Sequence, residues 1–123
     1  MENVDYYLQN KHYYKRAIPL IYAILSHRIG SEKAIKQPEL LEKIRKRLPG
    51  FNGRSLRLAI HEIRFQHLIR GLVADRAGFY IETDLRKLMA HAQRLHGYIV
   101  TITETHDSLI EDYWHQAKKN NEK

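Results

Sequence analysis

Apolar residues recur at helical spacing along the first two-thirds of this chain. In PLIYAILSHRIG, Leu20, Ile21, Ile24 and Leu25 make one stripe at helical intervals, which predicts a helix that Pro19 opens and Gly30 stops. In PELLEKIRKRL, Leu40, Leu41, Ile44 and Leu48 predict a second helix, begun by Pro38 and ended by Pro49 and Gly50. The stretch NGRSLRLAIHEIRFQ predicts a third, with Asn52 as N-cap and Leu56, Ala59, Ile60 and Ile63 on its buried side. Between the first two, AIK at 34–36 reads as a short strand. Upstream, residues 1–16 read as a helical or ordered arm with tyrosine pairs at 6–7 and 13–14.

After His67 the period changes. LIRGLVADRAGFYIET holds two short apolar runs, Leu68 to Ala74 and Phe79 to Ile81, joined by the turn sequence DRAG; this predicts a hairpin with Arg76 at its tip. From Asp84 helical spacing returns and runs to about Trp114. Leu85, Leu88, Ala92, Leu95, Ile99, Ile102, His106, Leu109 and Tyr113 alternate at intervals of three and four, the seam of a coiled coil. That seam predicts a homodimer, with residues 84–117 as the self-association element and 118–123 as a disordered tail. His106 would set register or make pairing pH-sensitive. Two other readings stay open: the helix packs on its own domain, or Gly97 and the five β-branched residues of GYIVTIT break it into two antiparallel helices.

The fold class these elements give is mainly α with a small β-hairpin. At 123 residues there is room for one compact core, and 43% apolar residues exclude general disorder. The absence of cysteine excludes disulfides and thiolate metal sites, and fits a reducing, cytoplasmic setting. No apolar run is long enough to cross a bilayer, and the polar start MENVDYYLQNKHYYKR has no signal-peptide core, so no membrane partner is expected.

Charge changes the picture because it is uneven. Residues 1–83 carry 15 Lys/Arg against 8 Asp/Glu, whereas residues 84–117 carry 3 against 5. The excess thus accompanies the third helix, where Arg54, Arg57, His61 and Arg64 share an arc about 80° wide opposite the apolar side. Such an arc is either a solvated surface or a face for a polyanion.

The pair PELLEKIRKRLPGFNGRSLRLAIHEIR and the hairpin GLVADRAGFYI resemble the winged helix-turn-helix family over residues 17–83. GFYIETDLRKL with its following long helix is similar, more loosely, to small winged-helix proteins of phages and mobile elements. The Pro49–Gly53 linker is longer than the family's usual tight turn. The resemblance implies that the third helix enters the major groove of double-stranded DNA and that the hairpin is a wing touching the backbone, in transcription control or replication. Arg54, Ser55 and Arg57 would then touch base edges, and His61 and Arg64 phosphates or further bases. Lys36, Gln37, Lys43, Lys46 and Arg47 would flank the site, with Arg76 at the wing tip. Leu58 and Phe65, at the edge of the arc, would meet a thymine methyl or be covered by the tyrosine arm, and the arm is the favoured reading.

Other chemistry finds little support. The histidine pairs 61/67 and 91/96 miss the i, i+4 spacing of helical metal ligands, and Glu111 and Asp112 are adjacent and so diverge. No metal, cofactor or catalytic group is expected. Tyr6, Tyr7, Tyr13 and Tyr14, interleaved with Lys11, Lys15 and Arg16, would stack on unpaired bases or, the favoured reading, pack. The competing functional class is a winged-helix scaffold acting as a protein-interaction module, or as an inhibitor of an acidic host protein.

Overall fold

The computed structural model describes the backbone of residues 2–121 and the side chains of residues 13–121. The protein is mainly helical, with one two-stranded antiparallel hairpin. The elements are α1 (Glu2–Leu25), a 3-10 turn (Ser31–Lys33), α2 (Gln37–Arg45), α3 (Gly53–Phe65), β1 (Leu72–Asp75), β2 (Gly78–Ile81) and α4 (Leu85–Asn121). They form two compact units, Met1–Leu85 and Arg86–Lys123. No described helix is long and apolar enough to cross a membrane.

The first unit has one hydrophobic core. α1 contributes Ala17, Ile21 and Leu25, α2 contributes Leu40, Leu41 and Ile44, and α3 contributes Leu56, Ala59, Ile60 and Ile63. Phe51, fully buried in the linker between α2 and α3, fills the space beside them. That linker is held by Arg45, whose Nε donates to the Phe51 carbonyl at 2.7 Å.

Three sequence expectations fail here for identifiable reasons. Pro19 does not open a helix: α1 runs through it, so no boundary sets a 1–16 arm apart from residues 17–25. An internal proline costs about 3 kcal/mol through its missing N–H and its ring. Burial of Ile21 and Leu25, each contributing roughly 1.5–3 kcal/mol, is large enough to offset it. Second, residues 34–36 form no strand. Ile35 pairs alone with Phe79, and Ile29 alone with Ile81, so two isolated bridges fasten the hairpin to the loop after α1. Third, β1 begins at Leu72 rather than Leu68. The chain leaves α3 through His67 in the left-handed region (φ 55°), which exposes Leu68 while Ile69 turns inward.

In the hairpin, Leu72 pairs with Ile81, Val73 with Tyr80, Ala74 with Phe79 and Asp75 with Gly78. Two isolated strands would be marginal in water. Leu72, Val73 and Tyr80 are buried, and the bridges at Ile29 and Ile35 add backbone bonds at the strand edge.

The second unit is α4, a single unbroken helix. GYIVTIT does not divide it. The Thr101 hydroxyl donates to the Gly97 carbonyl at 3.1 Å and the Thr105 hydroxyl to the Thr101 carbonyl at 3.0 Å, which satisfies both hydroxyls within the helix. The helix also continues through Asn121, past Lys118, where the sequence predicts a disordered tail; Glu122 and Lys123 lie outside the described residues.

Candidate nucleic-acid interface

α3 starts where its sequence says it should. The Asn52 side chain accepts from the Ser55 N–H at 2.9 Å, an N-cap that fixes the helix start and with it the angular position of every side chain beyond. Arg54, Arg57, His61 and Arg64 emerge exposed, and Leu56, Ala59, Ile60 and Ile63 are buried. Ser55 departs from its expected role. It is buried, at 3% exposure, and does not stand on the basic arc. One residue past Arg54 the helix has already turned about 100° toward the core.

Three elements meet beside this arc. Gln37 from the first turn of α2, Arg57, His61 and Arg64 from α3 and Phe79 from β2 line an open cleft of about 200 Å³, floored by Leu56 and Ile60. Its lining contains three basic side chains and no carboxylate. The cleft falls below the roughly 300–1,000 Å³ usual for sites that enclose a small molecule, so it suits the edge of an extended partner. The bridge from Ile35 to Phe79 places the hairpin next to the start of α2 and so closes one side of the cleft.

Arg64 is the anchored member. Its Nε donates to the Leu72 carbonyl at 3.1 Å, tying the last turn of α3 to β1. Partial burial of the guanidinium lowers its pKa from the ordinary arginine value, yet arginine stays protonated at neutral pH. The result is a cation with restricted freedom, in place before any partner arrives.

The remaining residues named from sequence are dispersed. Lys36 is the N-cap of α2 and is exposed. Lys43, Lys46 and Arg47 are exposed on α2 and the turn after it, outside the cleft lining. Arg76 is exposed in the two-residue turn of the hairpin, where the Ala77 N–H donates to the Asp75 carboxylate at 2.8 Å. Sequence reasoning missed Phe79, whose part in the cleft depends on long-range pairing with Ile35 that no local pattern encodes.

The apolar edge of the arc stands exposed, where the sequence reading favours cover by the tyrosine arm. Leu58 is 40% and Phe65 74% exposed, and the Phe65 ring stacks on His61 with centroids 6.2 Å apart. Of the arm's tyrosines, Tyr13 packs on Phe51, with ring centroids 6.4 Å apart, and its hydroxyl donates to the Pro49 carbonyl. Tyr14 also lies against the core. Tyr6, Tyr7 and Lys11 lie outside the described side chains.

Along α4 no residue is buried. Leu85, Ala92, Leu95, Ile99, Ile102, His106, Leu109 and Tyr113 are exposed, and Leu88 is half-buried.

No protein-family model, curated protein or solved structure matches this chain.

Proposed function

We propose that this protein binds double-stranded DNA in the manner of a winged helix, with α3 in the major groove and the β1–β2 hairpin as the wing. The observation that carries the reading is the cleft in which Arg57, His61 and Arg64 stand together with Gln37 and no carboxylate. A phosphate-rich partner needs such clustered donors. The order of three helices and a hairpin, and the positive charge concentrated in residues 1–83, support it independently.

In this reading Arg54 and Arg57, in the first turns of α3, face base edges, where arginine grips guanine through two parallel hydrogen bonds. Arg64, held by Leu72, and Arg76, on the hairpin turn, neutralise phosphates. The two arginine–phosphate contacts alone would give a log–log salt slope of about −2, steeper with each further cation that neutralises a phosphate.

The test is fluorescence anisotropy of a labelled random duplex over a range of salt concentrations, with the Arg54→Glu/Arg57→Glu protein alongside. Binding that weakens steeply with salt and is lost in the double variant supports the reading. No binding at low salt ends it.

A second reading has its own support. Phe65 and Leu58 are exposed apolar side chains at the edge of the basic arc, a mixture that also suits an acidic protein with an apolar anchor. Such a partner would be sensitive to Phe65→Ala as well as to salt, whereas pure phosphate contact would not.

A further inference from the structure

α4 presents an unusual surface. Eleven of its large apolar side chains are exposed, among them Leu85 at 80%, Ile102 at 67%, Leu109 at 63% and Tyr113 at 62%. Exposed apolar residues scattered singly need no explanation, but a row of them along one stripe of a 37-residue helix marks a contact surface. The alternation of three and four residues from Leu85 to Tyr113 is the pattern by which one helix packs into another like itself.

The residues brought face to face decide the orientation. In a parallel pair each seam residue meets its own copy: Ala92 meets Ala92 and leaves a gap, and His106 meets His106, two titratable rings in one apolar layer. An antiparallel pair with Ile99 opposite the partner's Ile102 resolves both. Ala92 then faces the partner's Leu109, small against large. Leu95 faces the partner's His106, and Leu88 faces the partner's Tyr113. The same register sets Met89, beside the seam, opposite the partner's Ile110, so the apolar stripe widens without a mismatch. Parallel pairing would bring Met89 toward Asp84 and Ile110 toward Thr105 instead.

Charge points the same way. Within the seam from Leu85 to Tyr113, Arg86, Lys87 and Arg94 lie in the first part and Glu104, Asp107, Glu111 and Asp112 in the second, with Lys118 and Lys119 beyond the seam in the last turn. Parallel pairing stacks like on like. Antiparallel pairing lays the basic part of one helix along the acidic part of the other, with His91 opposite the partner's Asp112.

We propose that α4 pairs antiparallel with α4 of a second copy of this chain, centred on Ile99 and Ile102. The proposal stands apart from the DNA-binding reading, since it uses no residue of α3 or the hairpin.

The chain has no cysteine, so single labels can be placed at will. The full-length Gln116→Cys protein, spin-labelled, is measured by sedimentation equilibrium and by pulsed dipolar spectroscopy. Antiparallel pairing puts the two labels about 45 Å apart, at a rise of about 1.5 Å per residue. Parallel pairing leaves backbones about 10 Å apart. Separately, Leu88→Cys/Tyr113→Cys should oxidise to a covalent dimer while Leu88→Cys alone does not. Ile99→Asp/Ile102→Asp should yield a monomer. Neither residue is buried within the chain, so the first unit's unfolding midpoint serves as the control for folding. A monomer at the highest soluble concentration, or a short label distance, overturns the proposal; a monomer would assign the stripe to a different protein.

Discussion

Ile35 and Phe79 exchange a pair of backbone hydrogen bonds. The Ile35 N–H donates to the Phe79 carbonyl at 3.0 Å and the Phe79 N–H to the Ile35 carbonyl at 2.8 Å. This bridge joins the segment before α2 to the hairpin, and the cleft exists because of it.

The neighbouring Gly78 is what allows the approach. It has φ 120°, and a Cβ there would sit 2.3 Å from the Ile35 carbonyl oxygen. Gly78→Ala should cost about 2–3 kcal/mol from strain and clash together. Gly50→Ala gives the comparison. That residue also has positive φ, 85°, but a Cβ would meet nothing within 4 Å. Its cost should be the backbone term alone, about 1–2 kcal/mol. Urea denaturation of the two variants checks this; equal losses would mean that the Ile35 contact contributes nothing.

Phe51 and Tyr13 link the start of the described core to the loop before α3. Phe51→Ala should cost about 3–5 kcal/mol, the range for removing a fully buried phenyl ring. Tyr13→Phe keeps the stacked ring but loses the bond to the Pro49 carbonyl, and should cost about 1 kcal/mol. If Tyr13→Phe were as damaging as Phe51→Ala, the hydroxyl would matter more than the packing.

The Asn52 cap sets the start of α3. Asn52→Ala should lower stability by about 1 kcal/mol, while Asn52→Asp, whose carboxylate also accepts from the Ser55 N–H, should be close to neutral. Thermal unfolding measured by circular dichroism compares both. Equal loss in the two variants would argue that the cap bond is dispensable.

In the proposed complex with DNA, Arg57 and Arg76 should fail differently. Arg57→Ala should weaken the preferred sequence by about 1–3 kcal/mol and relax discrimination there. Arg76→Ala should weaken all sequences alike and reduce the salt slope by about 1. Titrations of a selected duplex and a scrambled one at several salt concentrations separate the two. A uniform loss on Arg57→Ala would make that residue a phosphate contact.

The sequence by itself determined the local structure. Asn52 and the spacing of Leu56, Ala59, Ile60 and Ile63 were enough to place α3 and its exposed arc, since a cap and a 3.6-residue period act within a few residues. The DRAG turn located the hairpin for the same reason. Tertiary structure decided what depended on distant partners. Pro19 reads locally as a helix start, but core burial of Ile21 and Leu25 on its C-terminal side carries α1 through it. Phe79 joins Arg57, His61 and Arg64 only through its pairing with Ile35, 44 positions earlier in the numbering. Periodicity says which side of a helix is wet; only the folded chain says which other element stands beside it.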